Sequence, residues 1–144
     1  MPIIVVAADA PSVRAEVRAV VGEPGTEVIE VRSGEQVAVA VAEHHPDLVV
    51  VDLQMGNMGG MAVCLDIRLE ASYGKLPPVP VLMLLDRRAD VFLAKRSSAE
   101  GWLVKPLDPI RIRRATAALL AGGHFHDESY QPVPVLVPPA AGGG

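Results

Sequence analysis

The chain holds a single cysteine, Cys64, among 144 residues. No internal disulfide can staple it, and the place of Cys64 on an apolar helix face reads as a packed thiol in a reducing cytoplasm. Runs of basic residues are also absent. Lys and Arg total 13 against 17 Asp and Glu, a formal charge of −4. Such a balance leaves no electrostatic footprint for nucleic acid, and neither a helix-turn-helix nor a basic arm is visible. No basic segment leads into an apolar signal core, and no apolar run approaches a membrane span. The expectation is a soluble cytoplasmic protein with no direct nucleic-acid or membrane partner. Nor does a glycine-rich phosphate loop follow the first apolar run. Ala8-Asp9-Ala10-Pro11 offers an acid there instead of free backbone N–H groups, which argues against a bound flavin or nucleotide.

What is present is an alternation of strand and helix patterns. Half of the residues are hydrophobic, enough for one ordinary domain with its own core. Ile3 to Ala7 is a short apolar run, and after Pro11 the residues Val13, Val17, Val20 and Val21 recur at helical spacing, which puts Arg14 and Arg18 on the other face. Thr26 to Val31 is rich in β-branched residues. Ser33 and Gln36 then form a capping-box pattern ahead of an alanine-rich helix that stops near Pro46. Leu48 to Asp52 predicts a third strand, and a helix from about Gly60 to Leu69 directs Met61, Cys64, Leu65 and Ile67 inward. Val81 to Leu85 predicts a fourth strand, followed by a helix over Ala89 to Ser97 and a short strand, Trp102-Leu103-Val104. Asp108 as N-cap and Pro109 in the first turn open a last helix that runs to Gly122-Gly123. Five βα units in strict alternation predict an α/β domain over 1–121, a doubly wound five-stranded parallel sheet with helices on both faces.

Residues 122–144 differ in kind. They contain no Lys or Arg, hold four prolines and end in Ala-Ala-Gly-Gly-Gly, so a disordered tail is expected. Its apolar piece, Pro132-Val133-Pro134-Val135-Leu136-Val137, could lie along a sheet edge or partner groove, though a solvated tail is the expectation. His124 and His126 have the spacing of a metal pair but no further ligands beside them.

Asp52 is the residue on which function turns. It ends the run Leu48-Val49-Val50-Val51, so its carboxylate emerges at the C-terminal edge of a buried parallel strand, where open α/β sheets place their chemistry. A carboxylate held there can attack a phosphoryl group if cations neutralise the phosphate oxygens.

The stretch Pro46-Asp47-Leu48-Val49-Val50-Val51-Asp52-Leu53-Gln54-Met55, the turn Met58-Gly59-Gly60 and the segment Gly101-Trp102-Leu103-Val104-Lys105-Pro106-Leu107 together resemble the receiver domain of bacterial two-component response regulators. The resemblance covers residues 3 to about 121 and implies the flavodoxin-like receiver fold. It makes Asp52 the phosphoacceptor and Lys105 the cation that pairs with Asp52 or with its phosphoryl group. It also implies a Mg²⁺ site of Asp9, Asp52 and the backbone carbonyl of Gln54, an oxygen-only set suited to that ion. A histidine kinase or phosphotransfer protein is the implied phosphodonor.

Three departures mark an atypical member. Ala8 stands where the family has the first of two adjacent acids, which weakens the expected Mg²⁺ binding. Leu85 replaces the hydroxyl residue at the switch position after the fourth strand, and Trp102, at the position of the rotating aromatic, is expected to pack beside it in one rotamer. Gly56 and Gly59 replace Pro and Asp and loosen the loop, whereas Asp86, where a small residue is common, adds a carboxylate that repels phosphate.

The reading that follows is a single-domain response regulator of a phosphorelay, not an enzyme, acting through protein contacts. Phosphorylation-independent docking stands beside it as the alternative. An aspartyl-phosphate phosphatase or phosphotransferase ranks low, because Asp52-Leu53-Gln54 lacks a second acid two residues on. A cationic surface of Arg87, Arg88, Lys95, Arg96, Arg111, Arg113 and Arg114 is the expected contact for an unidentified effector, although such residues also simply solvate helices.

Overall fold

A computed structural model describes residues 1–128. Its strands are β1 (Ile3–Ala7), β2 (Glu27–Val31), β3 (Leu48–Asp52), β4 (Val81–Leu85), β5 (Gly101–Val104) and β6 (Phe125–His126). The helices are α1 (Pro11–Val21), α2 (Glu35–His44), α3 (Gly60–Ser72), α4 (Val91–Arg96) and α5 (Pro109–Leu120). All strands pair in parallel in the order β2-β1-β3-β4-β5-β6. The doubly wound α/β expectation holds, with one strand more than the five expected.

Strand periodicity explains the two cores. Val5, Ala7, Val49, Val51, Val81, Met83, Leu85, Trp102 and Val104 point to the face covered by α2, α3 and α4. Their neighbours Ile4, Val6, Leu48, Val50, Leu82, Leu84 and Leu103 point to the opposite face, against Val17 of α1 and Ile112 and Leu119 of α5. β1 and β4 are therefore apolar at every position and β3 at all but its last, as a sheet covered on both sides requires, whereas the edge strand β2 carries Glu27 and Glu30. Each fully buried Val, Leu or Ile contributes about 1.5–3 kcal/mol. Cys64 lies fully buried in the first of these clusters, as a packed thiol should, and its Sγ donates to Ser97 O at 3.2 Å.

Several boundaries differ from the sequence reading. Helix α3 runs past Leu69 to Ser72, and its predicted inward Leu65 is exposed, with Val63 buried in its stead. The predicted helix over 89–97 is a 3₁₀ turn, Arg88–Asp90, followed by the short α4. The capping box is half made. Gln36 Oε1 accepts from Arg32 N at 2.8 Å, but the cap position is Gly34 and has no side-chain cap bond. Asp108 caps α5 as expected, its side chain accepting from Arg111 N, with Pro109 in the first turn.

Two corrections bear on function. Arg14, expected to face away from the core, is buried at 8 % exposure because the spacing 14, 17, 21 carries it onto the same face as Val17 and Val21. Residues 122–128, expected as disordered tail, instead turn after α5 and add β6 to the sheet, with Phe125 opposite Gly101 and His126 opposite Trp102. Gly101 allows that approach, since a Cβ there would meet Phe125 O at 2.9 Å. The apolar stretch 132–137 lies outside the described residues.

The chain order reverses between β1 and β3, which opens a crevice at their C-terminal ends. Asp9 and Asp52 both lie on that edge.

Candidate functional site

Asp52 is the last residue of β3 and only 2 % exposed. The backbone of α3 sits hard against this strand end, for a Cβ on Gly60 would meet Asp52 O at 2.7 Å. Gly60 N also donates to Leu53 O at 3.0 Å, closing the loop between β3 and α3.

The positive charge comes from the neighbouring strand ends. Lys105 follows β5, and its N–H donates to Leu85 O at 2.8 Å, placing it beside the end of β4. Its Nζ donates to Asp52 Oδ1 and Oδ2, both at 3.0 Å, and to Asp86 Oδ1 at 2.9 Å. Gln54 N donates to Asp52 Oδ1 at 3.3 Å. The Lys105–Pro106 peptide is cis. Burial is the strongest influence on Asp52 and raises its pKa above the ordinary aspartate value, although the Lys105 bond and charge and the Gln54 N–H pull the other way. Burial also works against the Lys105 ammonium, but the hydrogen bonds to Asp86 and Asp52 outweigh it and raise the Lys105 pKa. A buried carboxylate with one paired ammonium is the arrangement a phosphoryl acceptor needs.

Asp9 is exposed on the loop after β1. Its Oδ2 accepts from Gly56 N at 3.2 Å, which links the loop after β1 to the glycine loop beside Asp52. Arg14 holds the other side of this loop. Its guanidinium donates to Ala8 O at 2.6 Å, Asp9 O at 3.2 Å and Glu30 Oε1 at 3.2 Å. Asp9, Asp52 and the Gln54 carbonyl are hard oxygen donors, and that chemistry fits Mg²⁺, which binds through one or two carboxylates and keeps several waters. Ala8 is fully buried and brings no third acid. Among the described residues no group of three or more His, Cys, Asp and Glu converges on a cation.

The two positions expected to act as a switch, Leu85 and Trp102, are apolar and buried. Leu85 is fully buried and offers no hydroxyl. Trp102, at 4 % exposure, packs in the same cluster as Leu85, and its ring stacks on that of His126 at 4.2 Å with 5° between planes. Lys95 Nζ lies over the indole, 5.9 Å from the ring centroid.

His126, edge-on to His124 at 6.1 Å between centroids, thus stacks on Trp102. The residue after it was not anticipated at all. Asp127 is 3 % exposed, accepts from Val104 N at 2.9 Å and pairs with the Arg111 guanidinium. Arg111 also reaches Asp108 Oδ2, Val104 O at 3.1 Å and Pro106 O. It therefore folds inward and leaves the expected cationic surface, where Arg113 and Arg114 remain exposed. Arg14 carried a signal in its spacing to Val17; Asp127 carried none.

Comparison with known proteins agrees with this geometry. Residues 4–117 match the response regulator receiver domain family. The chain is 32 % identical over 108 residues to the DNA-binding response regulator MtrA of Mycolicibacterium smegmatis, covering 74 % of this chain and 45 % of that protein. It spans less than half the length of the curated relatives it matches. A LuxR-family two-component response regulator from Aurantimonas superposes with a TM-score of 0.74 at 27 % identity, covering 85 % of this chain and 87 % of that one. The chemotaxis protein CheY4 of Vibrio cholerae shares the fold, with a TM-score of 0.71 at 24 % identity over 83 % of this chain and 98 % of that one. No helix among the described residues is long and apolar enough to cross a membrane. With an acidic crevice at the strand-order reversal, a lysine on the buried aspartate and a family match across nearly the whole sheet, this chain belongs to the response regulator receiver domain family of two-component signalling.

Proposed function

We propose that Asp52 accepts a phosphoryl group from a histidine kinase or phosphotransfer protein and that the receiver passes the signal on through protein contacts. One observation carries the reading: the Lys105 ammonium sits 3.0 Å from both oxygens of a buried Asp52. In the transfer, an Asp52 oxygen attacks phosphorus in line with the departing donor atom, and Lys105 meets the incoming negative charge. Mg²⁺, when bound by Asp9, Asp52 and the Gln54 carbonyl, supplies charge neutralisation at the phosphoryl oxygens. Arg14 keeps the Asp9 backbone in place through its bonds to Ala8 O and Asp9 O. The chain contributes an acceptor and positions it; turnover of a separate substrate is no part of the proposal, so it is not proposed as an enzyme. A cytoplasmic setting is part of it, compatible with the free, buried thiol of Cys64.

A second reading, docking that does not depend on phosphorylation, is favoured by the readout side of the site. Leu85 has no group with which to follow a phosphoryl oxygen, and Trp102 is held by the His126 ring. The effector in either case is a protein that meets the exposed Arg113 and Arg114 region.

The deciding experiment is intact-protein mass after incubation with acetyl phosphate and excess Mg²⁺, on the native chain and on Asp52→Asn. An adduct on the native chain that is lost in the variant supports the phosphoacceptor. A folded native chain without adduct overturns it and leaves constitutive docking.

A further inference from the structure

Lys105 does not belong to Asp52 alone. Asp86 directly follows β4 and Lys105 directly follows β5, and the register that sets Leu85 opposite Val104 brings the two side chains together. The Lys105 Nζ has three oxygens in hydrogen-bond range, two from Asp52 at 3.0 Å and Asp86 Oδ1 at 2.9 Å. An ammonium has three N–H donors and no acceptor. Both Asp52 oxygens lie on one side of the ammonium, and Asp86 takes a second direction, so part of the donor capacity of Lys105 goes to a carboxylate that is not the acceptor.

The surroundings make that third contact consequential. Leu85 offers no hydroxyl, and Lys105 is in hydrogen-bond contact with both oxygens of Asp52. Asp9, Asp52 and Asp86 bring three carboxylates to this edge of the sheet. Arg87, next along the chain, turns to Asp90 at 3.0 Å. Asp86 adds a carboxylate to this edge beside the acceptor. Its side chain is 39 % exposed against 3 % for Asp52, so it stands on the solvent side of the lysine, the side from which a phosphodonor comes.

We propose that Asp86 is a positioning residue that restrains phosphorylation of Asp52, acting as a resident anion on the Lys105 N–H that a phosphoryl oxygen needs. The inference rests on the reading of Asp52 as phosphoacceptor and assigns that site its brake. Transfer from acetyl phosphate forms a bond from an Asp52 oxygen to phosphorus and breaks the bond from phosphorus to the acetyl oxygen, which leaves as acetate with the electron pair. No net proton is consumed. A phosphoryl oxygen has to compete with Asp86 for the Lys105 ammonium, while the Asp86 charge repels the dianionic donor. At separations of this order near a protein surface, removing one charge accelerates the step by about tenfold.

The test is the rate of acetyl phosphate labelling, read by intact mass at fixed Mg²⁺, for the native chain, Asp86→Asn, Asp86→Ala and Asp86→Glu. The Asn and Ala variants are expected to label about tenfold faster, and the Glu variant to stay within about twofold of native because it keeps the charge. The advantage of the Asn variant should shrink as salt is raised from about 0.01 to 1 M, which a loss of packing does not produce. Calorimetric titration with Mg²⁺ is the second readout, with affinity unchanged or slightly lower in Asp86→Asn. Labelling of native and Asn chains at equal rates overturns the brake and leaves the phosphoacceptor standing. Slower labelling with a severalfold loss of Mg²⁺ affinity overturns it in favour of a carboxylate that serves the cation. If Asp52 is labelled in none of the four chains, the phosphoacceptor reading fails and the brake falls with it.

Discussion

The indole of Trp102 and the imidazole of His126 lie face to face, 4.2 Å between centroids and 5° between planes. The contact joins β5 to β6, two strands paired through Gly101 with Phe125 and Trp102 with His126. It places a residue from beyond the last helix on the aromatic that the family resemblance assigns to switching. Trp102 is also the one tryptophan of the chain, so its emission reports this contact without interference.

His126→Ala should uncover the indole. Acrylamide quenching of Trp102 emission is expected to rise and the emission maximum to move to longer wavelength, with a stability loss of about 1 kcal/mol. Unchanged quenching shows that the β5–β6 pairing shields the ring without the stack.

Asp127 is the stronger anchor of the same segment. Asp127→Ala takes the carboxylate from Val104 N and from the Arg111 guanidinium in a nearly dry setting, and a loss of about 3 kcal/mol in urea unfolding is expected. Asp127→Asn, which keeps an acceptor and the shape, should lose less. A loss below about 0.5 kcal/mol in the Ala variant counts against a structural role for the network.

Arg14 is predicted to matter to the site as well as to the core. Arg14→Lys cannot reproduce a fork that reaches Ala8 O, Asp9 O and Glu30 together. Unfolding stability should fall by roughly 2 kcal/mol, and calorimetric Mg²⁺ affinity should drop with it, since the Asp9 backbone loses its tether. Full Mg²⁺ affinity in a destabilised variant separates the two roles.

The pH dependence of Asp52 has a definite sign. Its folded pKa is raised, chiefly by burial, so the folded chain holds this proton more tightly than the unfolded chain. Stability associated with Asp52 therefore falls as pH rises from the unfolded aspartate value through the raised folded one. Asp52→Asn should remove that slope and raise stability towards neutral pH. Urea midpoints of both chains from pH 3 to 7 measure it; parallel curves contradict the raised value.

The alternating architecture was legible because covered parallel strands are short apolar runs, and Ile3–Ala7, Leu48–Asp52 and Val81–Leu85 appear at their full observed lengths. The place of Asp52 follows from ending such a run, and the Asp108-Pro109 start of α5 from cap chemistry alone. The charge of Arg14 points to the solvated face of α1, and its spacing to Val17 and Val21 overrides that. At 14, 17 and 21 the helix period puts it on the buried face, where carbonyl oxygens of the preceding loop, Ala8 O and Asp9 O, compensate its desolvation.

Local pattern thus determined the strand and helix order, the sheet's two-sided burial and the carboxylate at its C-terminal edge, because these depend on residues near one another in the chain. Tertiary structure alone decided which charges share a partner and what closes the sheet. Lys105 and Asp86 are 19 positions apart, and Val104 and Asp127 are 23. Strand pairing brings them together, and no periodicity of two or 3.6 residues carries information over that distance. The same holds for β6: two residues are too few to show a pattern, and they form a strand because Gly101 leaves room beside β5 and Trp102 presents a ring for His126 to cover.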